Sequence, residues 1–156
     1  MELLEEPRSR VDASAQPARV HVRTLRVEVL AARHGGMIFG PFVPDTRGSG
    51  RFPPAVRLRA TLFGVPLGEM TVANEQTSGR VLDFSIGSSW LARPVAAALV
   101  REAGDLAPQA GWDSLCWDLP SGAAPVRALA RWLGFRPVSA AGDEPRFERP
   151  IRGSDW

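Results

Sequence analysis

The clearest pattern in this sequence is a change of hydrophobic period partway along the chain. Over residues 55–62, apolar side chains alternate with arginine and threonine, which is typical of a strand with one buried face. The turn sequence Phe-Gly-Val-Pro at 63–66 leads into a second strand, so residues 55–73 are predicted to form a β-hairpin. A polar turn at 74–79 precedes a third strand at 80–86. The middle of the chain is therefore predicted to be an antiparallel meander.

Helical spacing replaces the alternation in the second half of the chain. Pro94 suits the first turn of a helix, where its missing N–H is no loss, and a helix is predicted over 94–107. Pro125 opens a second predicted helix over 125–133, which Gly134 ends. Three short strands complete the prediction, over 114–119, 135–138 and 146–151. Strands followed by alternating strands and helices predict an α+β fold.

The N-terminal third has a weaker pattern. Residues 1–18 lack apolar periodicity and are predicted to be a flexible tail ahead of a single domain over 19–152. Alternation predicts a strand over 20–24, whereas 25–34 fits either a strand or a short helix. Glycine, proline and phenylalanine dominate 35–54, which is either a binding loop or a loop pinned to the core by its aromatic side chains.

Composition excludes several classes of function. The 156 residues make about one domain, and no apolar run is long enough to cross a membrane. All 19 basic residues are arginines, mixed with 17 acidic residues, so no clustered basic face for nucleic acid is expected. One cysteine and two histidines, widely separated, predict no metal site. A lone cysteine is typical of a reducing compartment, which predicts a cytoplasmic protein.

Two segments of the second half carry a family signature. The sequence Arg-Trp-Leu-Gly-Phe at 131–135 is similar to a Tyr-x-x-Leu-Gly-Phe segment near the C-terminus of the GNAT acyltransferase superfamily. The strand, loop and helix predicted over 82–100 are similar to that superfamily's cofactor loop. Over 55–151 the order of elements resembles the superfamily throughout. The resemblance implies a mixed, mostly antiparallel twisted sheet with two main helices, at about 94–107 and 125–133, and a shortened N-terminal helical region.

The resemblance also implies a cofactor and its contacts. The superfamily holds the pyrophosphate of coenzyme A on backbone N–H groups at a helix start. Acetyl-CoA or another acyl-CoA is the expected donor, a small molecule the expected acceptor, and a homodimer is left open. Pro94 falls where the superfamily has a glycine, so one N–H is lost, and Arg93 can replace part of the attraction. The expected cofactor contacts are Ile86, Ser88, Ser89, Trp90, Arg93, Val95 and Ala96.

Other family positions are also altered. Leu91 falls where the superfamily has arginine or glutamine, and Ala123 where it has asparagine. The tyrosine that often protonates the departing thiolate falls on Ala130, and the chain contains no tyrosine. Two functions are therefore open. One is a small-molecule acyltransferase using acyl-CoA or a carrier thioester. The other is a repurposed fold that performs cyclisation, elimination or decarboxylation without coenzyme A.

Candidate acid–base residues lie in the loop and in the strands. His34 precedes two glycines, and is either a general base, since histidine titrates near neutral pH, or the cap of a helix end. Glu69 and Asp118 each lie on a predicted strand and are candidate bases. Phe39 and Phe42 are predicted to line a substrate pocket, because they are aromatic residues in the irregular segment 35–54.

Asp83 interrupts an apolar strand and is the fourth candidate base. Alternation predicts that Leu82 and Phe84 share a face and that Asp83 lies on the other. Asp83 can equally be a cross-strand partner of Arg57 or Arg59. In the superfamily the base often lies near these meander strands, which favours Glu69 and Asp83.

Overall fold

The computed structural model describes residues 25–33, 38–43, 51–87, 91–138 and 145–151. These residues form eight strands and two helices. In chain order they are β1 (Leu25–Arg33), β2 (Ile38–Pro41), β3 (Ala55–Leu62), β4 (Val65–Glu75), β5 (Ser78–Ile86), α1 (Ala92–Ala110), β6 (Ser114–Asp118), α2 (Ala124–Trp132), β7 (Arg136–Val138) and β8 (Arg146–Pro150).

All eight strands join one sheet, in the order β2-β1-β3-β4-β5-β6-β8-β7. Only β5 and β6 pair in parallel, and α1 is the crossover between them. Every other neighbouring pair is antiparallel. The mixed, mostly antiparallel α+β sheet with two helices is as predicted.

The hairpin predicted over 55–73 is confirmed as β3 and β4. Its turn residues Phe63 and Gly64 both have positive φ, at 50° and 79°. Two successive positive φ values give the turn that matches the right-handed twist of paired strands. The third meander strand, β5, begins at Ser78 rather than residue 80, because the turn before it is shorter than predicted.

Of the two alternatives predicted for residues 25–34, a strand or a short helix, the structure shows the strand. Residues 25–33 form a strand, β1, which pairs with β3 along seven residue pairs. Part of the predicted loop 35–54 is also a strand, β2, which pairs with β1. Within 25–33, 38–43 and 51–54 the structure has no helix, since backbone pairing with the sheet takes its place. The strand predicted at 20–24 and the tail at 1–18 lie outside the described residues.

One face of the sheet carries the core. Pairing places Leu58 of β3 beside Met70 of β4, and both side chains are almost fully buried under α1. Val95 and Leu99 of α1 are fully buried against this layer. Ala130 places α2 against the same core. We call this side the helix-covered face.

The other side of β3, β4 and β5 is polar. Arg57, Arg59, Glu69 and Asp83 alternate with the buried residues of the same strands. No helix of the described part of the chain packs on this side, which we call the open face. No helix in the described residues is long and apolar enough to span a bilayer.

Candidate active site

A gap opens in the sheet where β5 and β6 part. The two strands pair only from Ser78–Ser114 to Val81–Trp117. Beyond Trp117, the last residue of β6, Asp118, pairs only with Arg146 of β8, while β5 runs on to Ile86 beside β4. In the described part of the chain no strand pairs with this side of β5 over 82–86. Alternate residues there direct their N–H and C=O groups into the gap.

A β-bulge lies at the point where the gap begins. Thr71 of β4 pairs with Asp83, but the next residue, Val72, pairs with Val81, so Leu82 is the extra residue. The prediction that Leu82 shares a face with Phe84 is therefore wrong, because a bulge breaks the alternation. Leu82 is 53% exposed, whereas Phe84 turns towards the helix-covered face and packs on the core. Asp83 does lie on the opposite face from Phe84, as predicted.

Three aromatic rings bridge the apex of the gap on its helix-covered side. The Phe84 and Trp117 ring centroids are 4.9 Å apart. Trp117 in turn meets Phe135 edge-on, with centroids 5.8 Å apart. Phe135 follows the turn that ends α2. The three rings therefore connect β5 to the C-terminal end of α2. They form an apolar surface where the gap begins.

The start of α1 lies at the end of β5. Val95 N–H donates to the Leu91 carbonyl at 3.0 Å, which makes Leu91 the N-cap. Ahead of that bond, Ala92 and Arg93 supply backbone N–H groups with no intrahelical acceptor, and Pro94 supplies none. No acidic side chain lies in the first turn of α1, all of which is described. The helix start therefore keeps a positive potential with fewer donors than a glycine at position 94 would allow.

The predicted cofactor contacts that the structure describes separate into three groups. Ile86 ends β5 at the gap, half-buried. Arg93 is exposed, and its guanidinium lies 5.3 Å from the ring centroid of Trp132. Val95 and Ala96 are fully buried and support the first turn from the core side. The remaining predicted contacts, at 88–90, lie outside the described residues.

A cleft of about 460 Å³ runs between α1 and the end of α2. It carries the cations Arg101 and Arg149, with Arg93 beside it on Trp132. Arg149 donates to the Leu133 carbonyl at 2.6 Å, and burial lowers its pKa, although the guanidinium stays charged. No acidic side chain is among its described lining residues, which are Pro94, Ala97, Ala98, Arg101, Trp132, Leu133, Gly134 and Arg149.

The open face presents two polar rows across β3, β4 and β5. In one row Arg59 donates to Glu69 at 2.6 Å, and Ser85 lies beyond Glu69. The neighbouring row holds Arg57, Thr71 and Asp83. Neither of the two cross-strand partners predicted for Asp83 forms an ion pair with it, since Arg59 pairs with Glu69 and the Arg57 guanidinium lies over Phe39. The described residues supply no ion-pair partner to Asp83.

Asp118 is bound by two arginines. Arg146 donates to both of its carboxylate oxygens, at 2.8 and 3.3 Å, and Arg80 lies 2.8 Å from one of them. The hydrogen bond from Arg146 holds the pKa of the Asp118 carboxyl below its usual range, and Arg80 adds to the effect. A carboxylate held in this way is a weak proton acceptor, so its contacts suit a structural link between β5, β6 and β8.

The aromatic residues predicted to line a pocket lie on opposite sides of the sheet. Phe39 of β2 is on the open face, where the Arg57 guanidinium lies 4.2 Å from its ring centroid. Phe42 packs against Phe52, which packs against the buried Trp112 on the helix-covered face. Phe42 thus connects the end of β2 to the core. His34, the remaining candidate base, lies outside the described residues.

Two residues that the sequence resemblance matched to superfamily positions lie in α2 or at its start. Ala130, at the position of the superfamily's tyrosine, is fully buried in the core. Ala123, at the position of its asparagine, is the N-cap of α2 and makes no side-chain capping bond. Neither side chain carries a group that can donate or accept a proton.

Comparison with known proteins shows a likeness in structure and none in sequence. No family model matches the chain, and the search of curated proteins finds no match. Among solved structures, the GNAT domain of S. lividans PAT superposes with a TM-score of 0.55 at 17% identity, covering 62% of this chain and 61% of that one. The chain thus spans about three fifths of that structure.

Two further structures give similar values. The PaiA N-acetyltransferase of Thermoplasma acidophilum, in complex with coenzyme A, has a TM-score of 0.56 at 12% identity, covering 63% of this chain and 62% of that one. The aminoglycoside 6'-N-acetyltransferase of Enterococcus faecium has a TM-score of 0.52 at 11% identity, covering 65% and 77%. The chain therefore has the fold of the GNAT superfamily, which confirms the fold that the sequence resemblance implied.

Sequence reasoning missed the arginines of the α1–α2 cleft and gave Arg57 no role of its own. Arg101 and Arg149 lie 48 residues apart in the chain and converge only through the packing of α1 beside α2. Arg57 appeared only as one of two alternative partners for Asp83. The Phe39 contact that distinguishes Arg57 from Arg59 depends on β2, and no pattern in the sequence predicts that strand.

Proposed function

We propose that this protein is an N-acyltransferase that transfers an acyl group from an acyl thioester to a small amine. The observation that carries the proposal is the gap between β5 and β6. An exposed strand edge pairs readily with another extended chain that carries amides. The pantetheine arm of coenzyme A, or of a carrier protein, is such a chain, and the edge at 82–86 has the length and backbone donors to bind it.

The nucleotide end of an acyl-CoA fits the start of α1 and the adjoining cleft. Phosphates are stabilised by backbone N–H groups at a helix start and by guanidinium groups. Ala92 and Arg93 supply the first, and Arg93, Arg101 and Arg149 supply the second. The arginines compensate for the donor that Pro94 removes. Trp132 is 49% exposed beside Arg93, and its ring offers an apolar surface on which the nucleotide base of the acyl-CoA can pack.

The acceptor amine approaches from the open face. When bound, the thioester supplies an acyl group that an unprotonated amine can accept. Asp83 borders the gap and has no ion-pair partner among the described residues, so it takes the proton of the amine in our proposal. Glu69 lies one strand away and is held by Arg59, which makes it the less available base. The C–S bond of the thioester breaks as the C–N bond forms, and solvent protonates the departing thiolate, since alanine stands at position 130 where the resemblance implies a tyrosine.

A second candidate rests on the altered motif. Leu91, Pro94, Ala123 and Ala130 all lack the polar group that the superfamily uses at those positions. A repurposed pocket that performs cyclisation, elimination or decarboxylation without coenzyme A needs none of those groups. Its catalytic residues would be the same open-face carboxylates, Glu69 and Asp83. In either case we expect a cytoplasmic protein, on the basis of its single cysteine.

Calorimetric titration with acetyl-CoA and with acetyl-pantetheine tests the donor. We expect saturable binding of acetyl-CoA that Arg93→Gln weakens about tenfold, as for the loss of one charged phosphate contact. Arg136→Gln, on the exposed edge strand β7, is the matched control and should leave binding unchanged. Tighter binding of acetyl-pantetheine than of acetyl-CoA would favour a carrier thioester. Failure of both probes to bind at about 1 mM would support the second hypothesis, a reaction without coenzyme A.

A further inference from the structure

The hairpin that joins β3 to β4 ends in an exposed apolar turn. Phe63 is 82% exposed and Val65 is 59% exposed. Leu62 pairs with Val65 on one side and with Leu25 of β1 on the other, and both leucines are half-buried. The exposed turn therefore continues into an apolar row at this end of the sheet. We call Leu25, Leu62, Phe63, Val65 and Pro66 the hairpin tip.

Phe63 has a backbone conformation that a bulky residue rarely adopts. Its φ is 50°, in the left-handed region, where asparagine, aspartate and glycine are the usual residues of a two-residue hairpin turn. Within the described residues Phe63 makes no ring contact and is not part of the core, so nothing inside the fold offsets this conformational cost. A strained residue that stabilises nothing inside the protein indicates a contact outside it.

The charge next to the hairpin tip is positive. Residues 60–68 contain no carboxylate. Arg26 of β1 lies at the base of the tip on the open face, exposed, and the described residues supply it no ion-pair partner. The first carboxylates along β1 and β4, Glu28 and Glu69, lie one row further from the tip, on either side of Arg59. An apolar turn with a cation beside it complements a negatively charged surface.

The size and shape of the hairpin tip favour a membrane over a protein as its partner. The tip ends in a two-residue turn, and a Cβ at Gly64 would meet no atom within 4 Å, so the turn projects from the sheet. Stable protein interfaces bury about 800 Å² on each partner, which is more than a turn of this size presents. Insertion into a bilayer surface has no such threshold, because its free energy grows with the apolar area buried and with the attraction to anionic lipids.

We propose that the hairpin tip inserts into the surface of a membrane that contains anionic lipids. Phe63 and Val65 enter the boundary between headgroups and acyl chains, and Arg26 binds lipid phosphate. Such contact requires no membrane-spanning helix, and the described residues contain no helix suited to cross a bilayer. The tip belongs to β1, β3 and β4 and not to the gap between β5 and β6, so the membrane contact does not depend on the proposed acyl transfer.

Sedimentation with lipid vesicles tests the proposal. We expect the protein to bind vesicles of phosphatidylcholine and phosphatidylglycerol in equal amounts more tightly than vesicles of phosphatidylcholine alone, at about 1 mM lipid. Phe63→Ser should lower the partition coefficient at least about tenfold, as for the loss of one buried phenylalanine side chain. Arg26→Gln should lower it about fivefold, and only on the anionic vesicles. The matched controls are Ile38→Ser, 61% exposed at the opposite end of the sheet, and Arg136→Gln on β7.

Three results would overturn the proposal. The first is no binding to the anionic vesicles, and the second is equal binding by wild type and Phe63→Ser. The third is a wild-type dimer that Phe63→Ser dissociates, since a second copy would then cover the tip. Val65→Ser repeats the test at another position of the tip and should weaken binding by a smaller factor, because valine buries less area. Phe63→Ser should still bind acetyl-CoA as wild type does, so the membrane contact and the proposed function succeed or fail separately.

Discussion

On the helix-covered face, neighbouring strands present apolar side chains that α1 removes from water, whereas on the open face the same strands present arginine and carboxylate side chains. The difference lies in one residue step along each strand, since Leu58 and Arg59 are adjacent in the chain. Burial of apolar surface drives folding on the first face. The open face buries little apolar surface and so contributes little to folding, which leaves its charged side chains available for binding. We therefore expect stability to depend mainly on the helix-covered face and function on the open face.

Truncation of a core aromatic residue should have the largest effect on stability. Phe135 is 1% exposed and packs on Trp117, so Phe135→Ala should cost about 3–5 kcal/mol in the free energy of unfolding. Phe63→Ala is the matched control, because Phe63 is 82% exposed at a hairpin tip, and it should change stability by less than about 0.5 kcal/mol. Urea denaturation measures both. Equal losses would contradict the burial pattern described above.

Asp83→Asn, on the open face, should instead lower the reaction rate and leave stability almost unchanged. Loss of a general base typically slows a reaction about 10²–10⁴-fold, whereas an exposed substitution barely changes stability. We expect the rate of acyl transfer to fall by at least about 10²-fold while the denaturation midpoint stays within error. Asp105→Asn, an exposed change on α1, is the control for the removal of one charge. An unchanged rate in Asp83→Asn would show that another group accepts the proton.

Gly68 tests how closely the helix approaches the sheet beside the gap. A Cβ at this position would lie 2.8 Å from Cγ1 of Val95 and 2.9 Å from the Ser85 carbonyl oxygen. Because the Ser85 backbone cannot move away without disturbing the sheet, Gly68→Ala should destabilise the fold by about 1–3 kcal/mol. Gly122→Ala places its Cβ in open space and serves as control. Similar thermal unfolding of the two variants would mean that α1 lies farther from β4 than the structure shows.

The smallest effect concerns Asp118 and pH. Its pKa is lowered in the folded state by the hydrogen bond from Arg146, so the carboxylate contributes stability at pH values above its unfolded pKa of about 3.9. That contribution is lost as the pH falls through the lower, folded pKa. Asp118→Asn should cost about 1 kcal/mol at pH 7 and less below pH 4. A difference that persists unchanged into strong acid would exclude the ion pair as its cause.

The sequence allowed prediction of the fold on the helix-covered side better than on the open side. Alternation in β3 and β4 and helical spacing in α1 report burial directly, and burial is what those elements depend on. The bulge at Leu82 was not predictable, because an extra residue in one strand depends on the register of its partner. It changed the orientation of Leu82, although Asp83 still lies on the face opposite Phe84.

Only part of the candidate site could be predicted, because the rest depends on contacts between segments that are distant in the chain. The gap follows from the order of elements, which the family resemblance supplied. The strand β2 did not follow, since Ile38 to Pro41 contains glycine and proline and resembles a loop. Without β2, Phe39 has no fixed place, and neither does the guanidinium of Arg57 that stacks on it. Contacts between distant segments thus separate Arg57 from Arg59, although the two have the same local sequence pattern.

Amide hydrogen exchange of β5, measured with and without acetyl-CoA, tests whether the unpaired edge of β5 at 82–86 binds the extended arm of the thioester donor. The account predicts that acetyl-CoA slows exchange at alternate amides of 82–86, while amides of 78–81, already beside β6, change little. Binding of acetyl-CoA in the calorimeter with no slowing over 82–86 would contradict it, since the donor would then lie elsewhere.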